Sequence, residues 1–144
     1  MCLLMTAIVP LLFALPAQAQ QWHLVGGNGQ IRTYMDADSI QRKGDTATAT
    51  VLSAFAKPVG KVYAFRLDIV YDCTKMRFRE LDGVNYSATG SVISNDPARE
   101  PDRFYDTHPN GVDEAGRNYA CFGGDARLIE DPFADSAKRF GWTP

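Results

Sequence analysis

Residues 62 to 73, VYAFRLDIVYDC, alternate with a period of two. Tyr63, Phe65, Leu67, Ile69, Tyr71 and Cys73 form a continuously apolar set, and Val62, Ala64, Arg66, Asp68, Val70 and Asp72 a mixed one. That is the pattern of a β-strand with one buried face. The stretch DCTK then turns the chain, and MRFREL continues with Met76 and Phe78 opposed to Arg77 and Arg79. The whole reads as a two-stranded antiparallel ribbon, with Cys73 on the inward face at a strand end.

The flanking sequence reads in the same terms. In WHLVGGNGQIRTYMD, Asn28-Gly29 separates two strand-like runs, a strong hairpin signal. DADSIQRKGD is a connector in which Asp36 or Asp38 can cap a single helical turn. Residues 46 to 56, TATATVLSAFA, alternate and are threonine-rich, so they predict another strand. VNYSATGSVIS predicts one more, with a turn near Gly90, and residues 94 to 110, with Pro97, Pro101 and Pro109, predict an irregular surface loop.

Two helices follow. Asn110 can cap GVDEAGRNYACF, in which Val112, Ala115, Tyr119 and Phe122 share a side, Cys121 lies in the last turn, and Gly123-Gly124 ends the run. Asp131 can cap a second helix with Pro132 in first position and Phe133, Ala137 and Phe140 at helical spacing before Gly141. The second helix has an apolar stripe that its own sheet is expected to cover. The expected class is α+β: an antiparallel sheet of about five to six strands flanked by one or two C-terminal helices.

Ahead of all this lies LLMTAIVPLLFAL, residues 3 to 15, followed by PAQAQQW. Ala17-Gln18-Ala19 matches the small-x-small pattern of a signal-peptidase site, so residues 1–19 read as a signal peptide. No Lys or Arg precedes the apolar run, and an uncleaved membrane anchor is the rival reading. No second apolar run of spanning length follows, so no transmembrane segment is expected after cleavage. Removing 19 of 144 residues leaves 125, read as one domain, 20–144. Its net charge of −2 lacks the dominant basic face of a nucleic-acid partner.

Of three cysteines, Cys2 leaves with the signal, and Cys73 and Cys121 allow one intramolecular bridge. Closing a loop of 48 residues restricts the unfolded chain by about 4 kcal/mol on a loop-entropy argument. A reactive thiol and a metal site are the alternatives. Neither cysteine belongs to a CxxC pair, and only His23 and His108 are available as further soft ligands, so an oxidising compartment favours the bridge.

The remaining candidate groups do not assemble into a reaction centre. GGNG lacks the pattern of a phosphate loop and reads as a turn. Asp36, Asp38 and Ser39 fall short of a calcium loop and read as caps. Arg66, Lys75, Arg77 and Arg79 form a candidate basic stripe, but Asp68, Asp72 and Glu80 interleave with them, which favours cross-strand pairing on a solvated face. Asp82, Asp113 and Glu114 have no discernible partners, and nothing places a nucleophile beside His23 or His108. Trp22, Tyr34 and Trp142 suit either a contact surface or the core. No catalytic, cofactor-binding or metal-ligating residue is expected.

The strings YMDADSIQRKGDTATATVLSAF and VYDCTKMRFREL, with Pro109 followed by NYAC, together resemble the surface-adhesin protein E family of small exported bacterial proteins. The resemblance spans roughly residues 22 to 122 and leaves a C-terminal helical extension, 125–144, outside it. It implies an antiparallel sheet flanked by helices, a Cys73–Cys121 bridge, and an envelope-exposed protein that binds other macromolecules. Gln20 stands where a surface lipoprotein needs a cysteine, so free periplasmic or secreted residence is expected rather than a lipid anchor. The expected function is a non-catalytic, adhesin-like module with a host or envelope protein as partner and no cofactor. The alternatives are an inhibitor of a periplasmic hydrolase, presenting residues 94 to 110 to a cleft, and a small periplasmic enzyme.

Overall fold

A computed structural model describes residues 20–143. The signal-peptide reading for residues 1–19 lies outside the described residues. The first hairpin forms as predicted from β1 (Trp22–Gly27) and β2 (Ile31–Asp36). Asn28 builds its turn, its Oδ1 accepting from the amides of Gln30 and Ile31 at 2.8 and 3.1 Å. A single 3-10 turn, Ala37–Ser39, follows, capped by Asp36, whose carboxylate accepts from the Asp38 amide. Next come β3 (Gln41–Lys43), β4 (Thr46–Val59), β5 (Val62–Asp72) and β6 (Arg77–Tyr86). β7 (Val92–Asn95) and β8 (Tyr105–Asp106) precede helix α1 (Val112–Phe122), and β9 (Arg127–Ile129) precedes helix α2 (Pro132–Phe140).

All pairings are antiparallel, in the order β7-β6-β5-β4-β2-β1-β9, with β3 pairing β4 and β8 pairing β6. The α+β class stands, and the nine strands among the described residues exceed the five to six expected. The additions β3, β8 and β9 are two or three residues long. They show no alternation because their partner's edge, rather than an apolar face of their own, recruits them.

Alternation along β4 and β5 sorts the core into two layers. On one face Trp22, Tyr34, Leu52, Ala54, Ala64, Ile129 and Trp142 are buried, and Phe133, Ala137 and Phe140 of α2 pack against them. The apolar stripe of α2 is therefore covered by its own sheet. Trp22, Tyr34 and Trp142 belong to this core, not to a contact surface; the Trp142 indole donates to the Phe55 carbonyl at 2.9 Å. Asp131 caps α2 through the Phe133 and Ala134 amides, with Pro132 in the first turn. Tyr34 and Arg32 then clasp Asp135, at 2.7 Å each. On the opposite face Met35, Ala47, Ala49, Val51, Ile69, Tyr71 and Ala120 are buried beneath α1.

Helix α1 departs from expectation in two ways. Its N-cap is Gly111, not Asn110, which takes a left-handed conformation (φ 59°) one residue earlier. Its buried residues are Gly116, Arg117 and Ala120, while Phe122, expected on the apolar side, is 67 % exposed. The helix is rolled by what its C-terminal half must reach, the end of β5.

Candidate functional site

Helix α1 is fastened to the end of β5 by two different bonds. Cys73 and Cys121 form a disulfide, with their Cα atoms 5.6 Å apart. Beside it the buried Arg117 donates to the carbonyl oxygens of Asp72, Lys75 and Cys73 at 2.9, 3.0 and 2.7 Å. The DCTK turn is itself organised by Asp72, which accepts from the amides of Thr74 and Lys75, the Thr74 hydroxyl and Arg77. Burial alone would raise the Asp72 carboxyl, but these hydrogen bonds outweigh it and bring it down to about 2. Helix and sheet also approach closely at Gly116, where an added Cβ would stand 2.8 Å from the Tyr71 hydroxyl oxygen. Burial drives that phenol well above its ordinary value, with the Asp113 charge adding to the effect.

So held, α1 covers only part of its sheet face. Between its N-terminal residues Val112 and Asp113 and the strap formed by residues 96–105 runs a cleft. Its floor is Phe65, Leu67 and Ile69 of β5, with Phe78 and Glu80 from β6. A cavity of about 120 Å³ lies against the helix, and one of about 310 Å³ lies against the strap. Glu80 and Leu67 line both, and a third hollow that Asp96 also lines. On the helix side Thr33 and Ser53 are buried, and their hydroxyls pair with each other at 3.2 Å.

The strap owes its position to the β6 edge. The Asp96 amide donates to Gly83 O, Ala98 to Leu81 O and Thr107 to Met76 O, at 2.8, 3.0 and 2.8 Å. Gly83 admits this approach, since a Cβ there would meet Asp96 O at 2.6 Å and the Leu67 side chain at 3.1 Å. The β5–β6 register shifts between Leu67 and Ile69, opposite Gly83 and Glu80, which places a bulge beside Glu80. Burial pushes the Glu80 carboxyl up, and the Asp96 carboxylate pushes it further. Among the described residues neither carboxylate has an ion pair.

The expected cross-strand pairing of Arg66, Lys75, Arg77 and Arg79 with Asp68, Asp72 and Glu80 forms only in part. Arg77 pairs with Asp72 at 2.9 Å, Asp68 accepts from Thr50, and Lys75 is exposed. Arg79 turns to the strap, donating to Pro101 O at 2.8 Å, and both Arg77 and Arg79 flank the Phe104 ring. Glu80 takes no part, because alternation from Arg79 points it to the opposite face with Phe78. That periodicity was the available signal for Glu80; no signal announced Asp96, which arrives from a loop without pattern.

Other candidates fall elsewhere. Asp36 and Ser39 serve the 3-10 turn, Ser39 donating to Asp36 O and accepting from the Thr50 amide. His23 bonds the Tyr119 hydroxyl at 2.8 Å, and the exposed His108 pairs with Asp113 at 2.8 Å. Glu114 accepts from the Asn110 amide, and Asp82 is exposed at the bulge. Among the described residues no three His, Cys, Asp or Glu side chains gather as a metal site would require. No described helix is long and apolar enough to cross a membrane.

No curated protein and no solved structure matches the chain. A family model, surface-adhesin protein E, matches residues 22–122, the span that contains β1 to β8, helix α1, its disulfide and the cleft beneath it. With about 70 % of its length inside that match, the chain belongs to the surface-adhesin protein E family.

Proposed function

We propose that residues 20–144 act as one non-catalytic, exported binding module of the bacterial envelope, periplasmic or secreted and without a lipid anchor. Its ligand is a macromolecule, a host or envelope protein. The observation that carries this reading is the cleft on the α1 side of the sheet. Its walls are held by a disulfide, a buried guanidinium and strap hydrogen bonds, so it offers a preorganised surface to a partner. Thr33 and Ser53, whose hydroxyls bond each other, add a polar element to that surface.

The test is crosslinking in the native envelope followed by identification of what is attached. Recovery of a matrix-like, host or envelope protein supports the module, and turnover of a substrate by the purified protein counts against it. The inhibitor reading keeps one favouring observation: the strap's centre, Arg99 to Arg103, is exposed while its ends are pinned to β6. Capture of a periplasmic hydrolase would select that reading.

A further inference from the structure

The cleft joins an apolar floor to an acidic rim. Phe65 and Leu67 lie half-buried on the floor. Four carboxylates, Glu80, Asp96, Glu100 and Asp113, line the connected hollows, against one guanidinium, that of Arg99. Two of the four are already engaged: Glu100 with Arg103 and Asp113 with His108, each at 2.8 Å. Among the described residues Glu80 and Asp96 are not. Burial makes the ionised Glu80 costly and the Asp96 charge makes it costlier, a penalty that an arriving cation relieves.

Two carboxylates are too few for a calcium cage of about six to eight oxygens. An ammonium or guanidinium on an alkyl stem matches both halves, because such side chains lay their stems on apolar surface and keep the charge at its edge. We propose that the cleft seats a lysine or arginine side chain presented by an extended segment of a partner protein. Its stem lies on Phe65 and Leu67, and Glu80 and Asp96 hold its charged head. The hollows of about 310 and 120 Å³ suit single side chains rather than a folded surface. This inference rests on the binding-module reading and assigns its partner chemistry.

The experiment uses the full exported protein with its disulfide intact and pentapeptides Ala-Leu-X-Leu-Ala, blocked at both ends, where X is lysine, arginine, norleucine or glutamate. Binding is read by NMR shifts at Leu67 and Glu80. The lysine and arginine peptides are expected to bind about tenfold tighter than the norleucine peptide, the effect of one partly buried ion pair. Glu80→Gln should remove that preference, and Asp38→Asn, at an exposed position of the 3-10 turn away from the cleft, should leave it. Equal binding of lysine and norleucine peptides, or shifts confined to other faces, overturns the proposal. Pentylammonium binding as tightly as the lysine peptide overturns it in favour of a small amine. Crosslinking separates the two levels. A partner captured equally by wild type and Glu80→Gln removes the cleft assignment and spares the module. A wild type that captures nothing, with peptide shifts intact, removes the module reading and spares the cleft.

Discussion

The guanidinium of Arg117 donates to the carbonyl oxygen of Cys73 at 2.7 Å, so a buried cation and a disulfide grip the same residue from the same helix. Arg117→Ala should destabilise the oxidised protein by about 3 kcal/mol, because it strands buried carbonyls as well as losing hydrogen bonds. Urea unfolding measures this. The cost should not add to that of the Cys73→Ala, Cys121→Ala pair in a double-mutant cycle, since both fasten one junction. Full additivity would show two independent anchors.

Gly116→Ala sets two effects against each other. Alanine gains about 1 kcal/mol of helix propensity over glycine. Its Cβ would stand 2.8 Å from the Tyr71 oxygen, and overpacking of this kind costs about 1–3 kcal/mol. Tyr71 is almost wholly buried and has little room to yield, so the variant should be less stable. Gly116→Ala combined with Tyr71→Phe should recover stability relative to Gly116→Ala alone. A stabilised single variant would mean that the Tyr71 ring has room to yield.

Acid should weaken the turn that carries Cys73. The Asp72 carboxyl titrates lower in the folded chain, at about 2, than in the unfolded one, near 3.8. Its contribution is therefore present above pH 4 and is lost as pH falls through that interval. Thermal melts between pH 5 and pH 2 should fall more steeply for wild type than for Asp72→Asn. Parallel curves would dismiss Asp72 as the source.

Glu80 runs the other way. Its folded carboxyl is raised, so its ionisation opposes folding once pH exceeds the ordinary value of 4.5. Glu80→Gln should raise the melting midpoint at pH 7, and the gain should vanish below pH 4. A group that weakens the free fold while serving a ligand is a common feature of binding sites. A destabilised Glu80→Gln at pH 7 would mean that Glu80 has a structural partner.

Replacing Arg99 to Asp102 with a short glycine linker should abolish partner capture and leave folding intact. The ties lost there, such as Arg79 to Asp102 at 3.7 Å, are exposed and worth under about 1 kcal/mol. Unchanged capture would remove the strap from the binding surface.

The ribbon, its inward Cys73, the Asn28-Gly29 hairpin and the Asp131-Pro132 helix start were legible because each rests on local chemistry: alternation, turn residues or capping. The roll of α1 was not. Its burial is decided by Arg117 reaching backbone carbonyls more than 40 positions away, and an arginine reads as solvent-facing in a helical pattern. Glu80 could be assigned to a face from its neighbour Phe78, but its lack of a partner depends on where Asp96 comes to rest. The short strands β3, β8 and β9 are products of tertiary contact and carry no periodicity of their own.

Strand β9 pairs Ile129 with Trp22, closing the outer side of the first strand with residues from near the end of the chain. Until Arg127–Ile129 are in place, β1 therefore keeps one unpaired margin. A product cut short before Arg127 would leave a sticky border for neighbours to find.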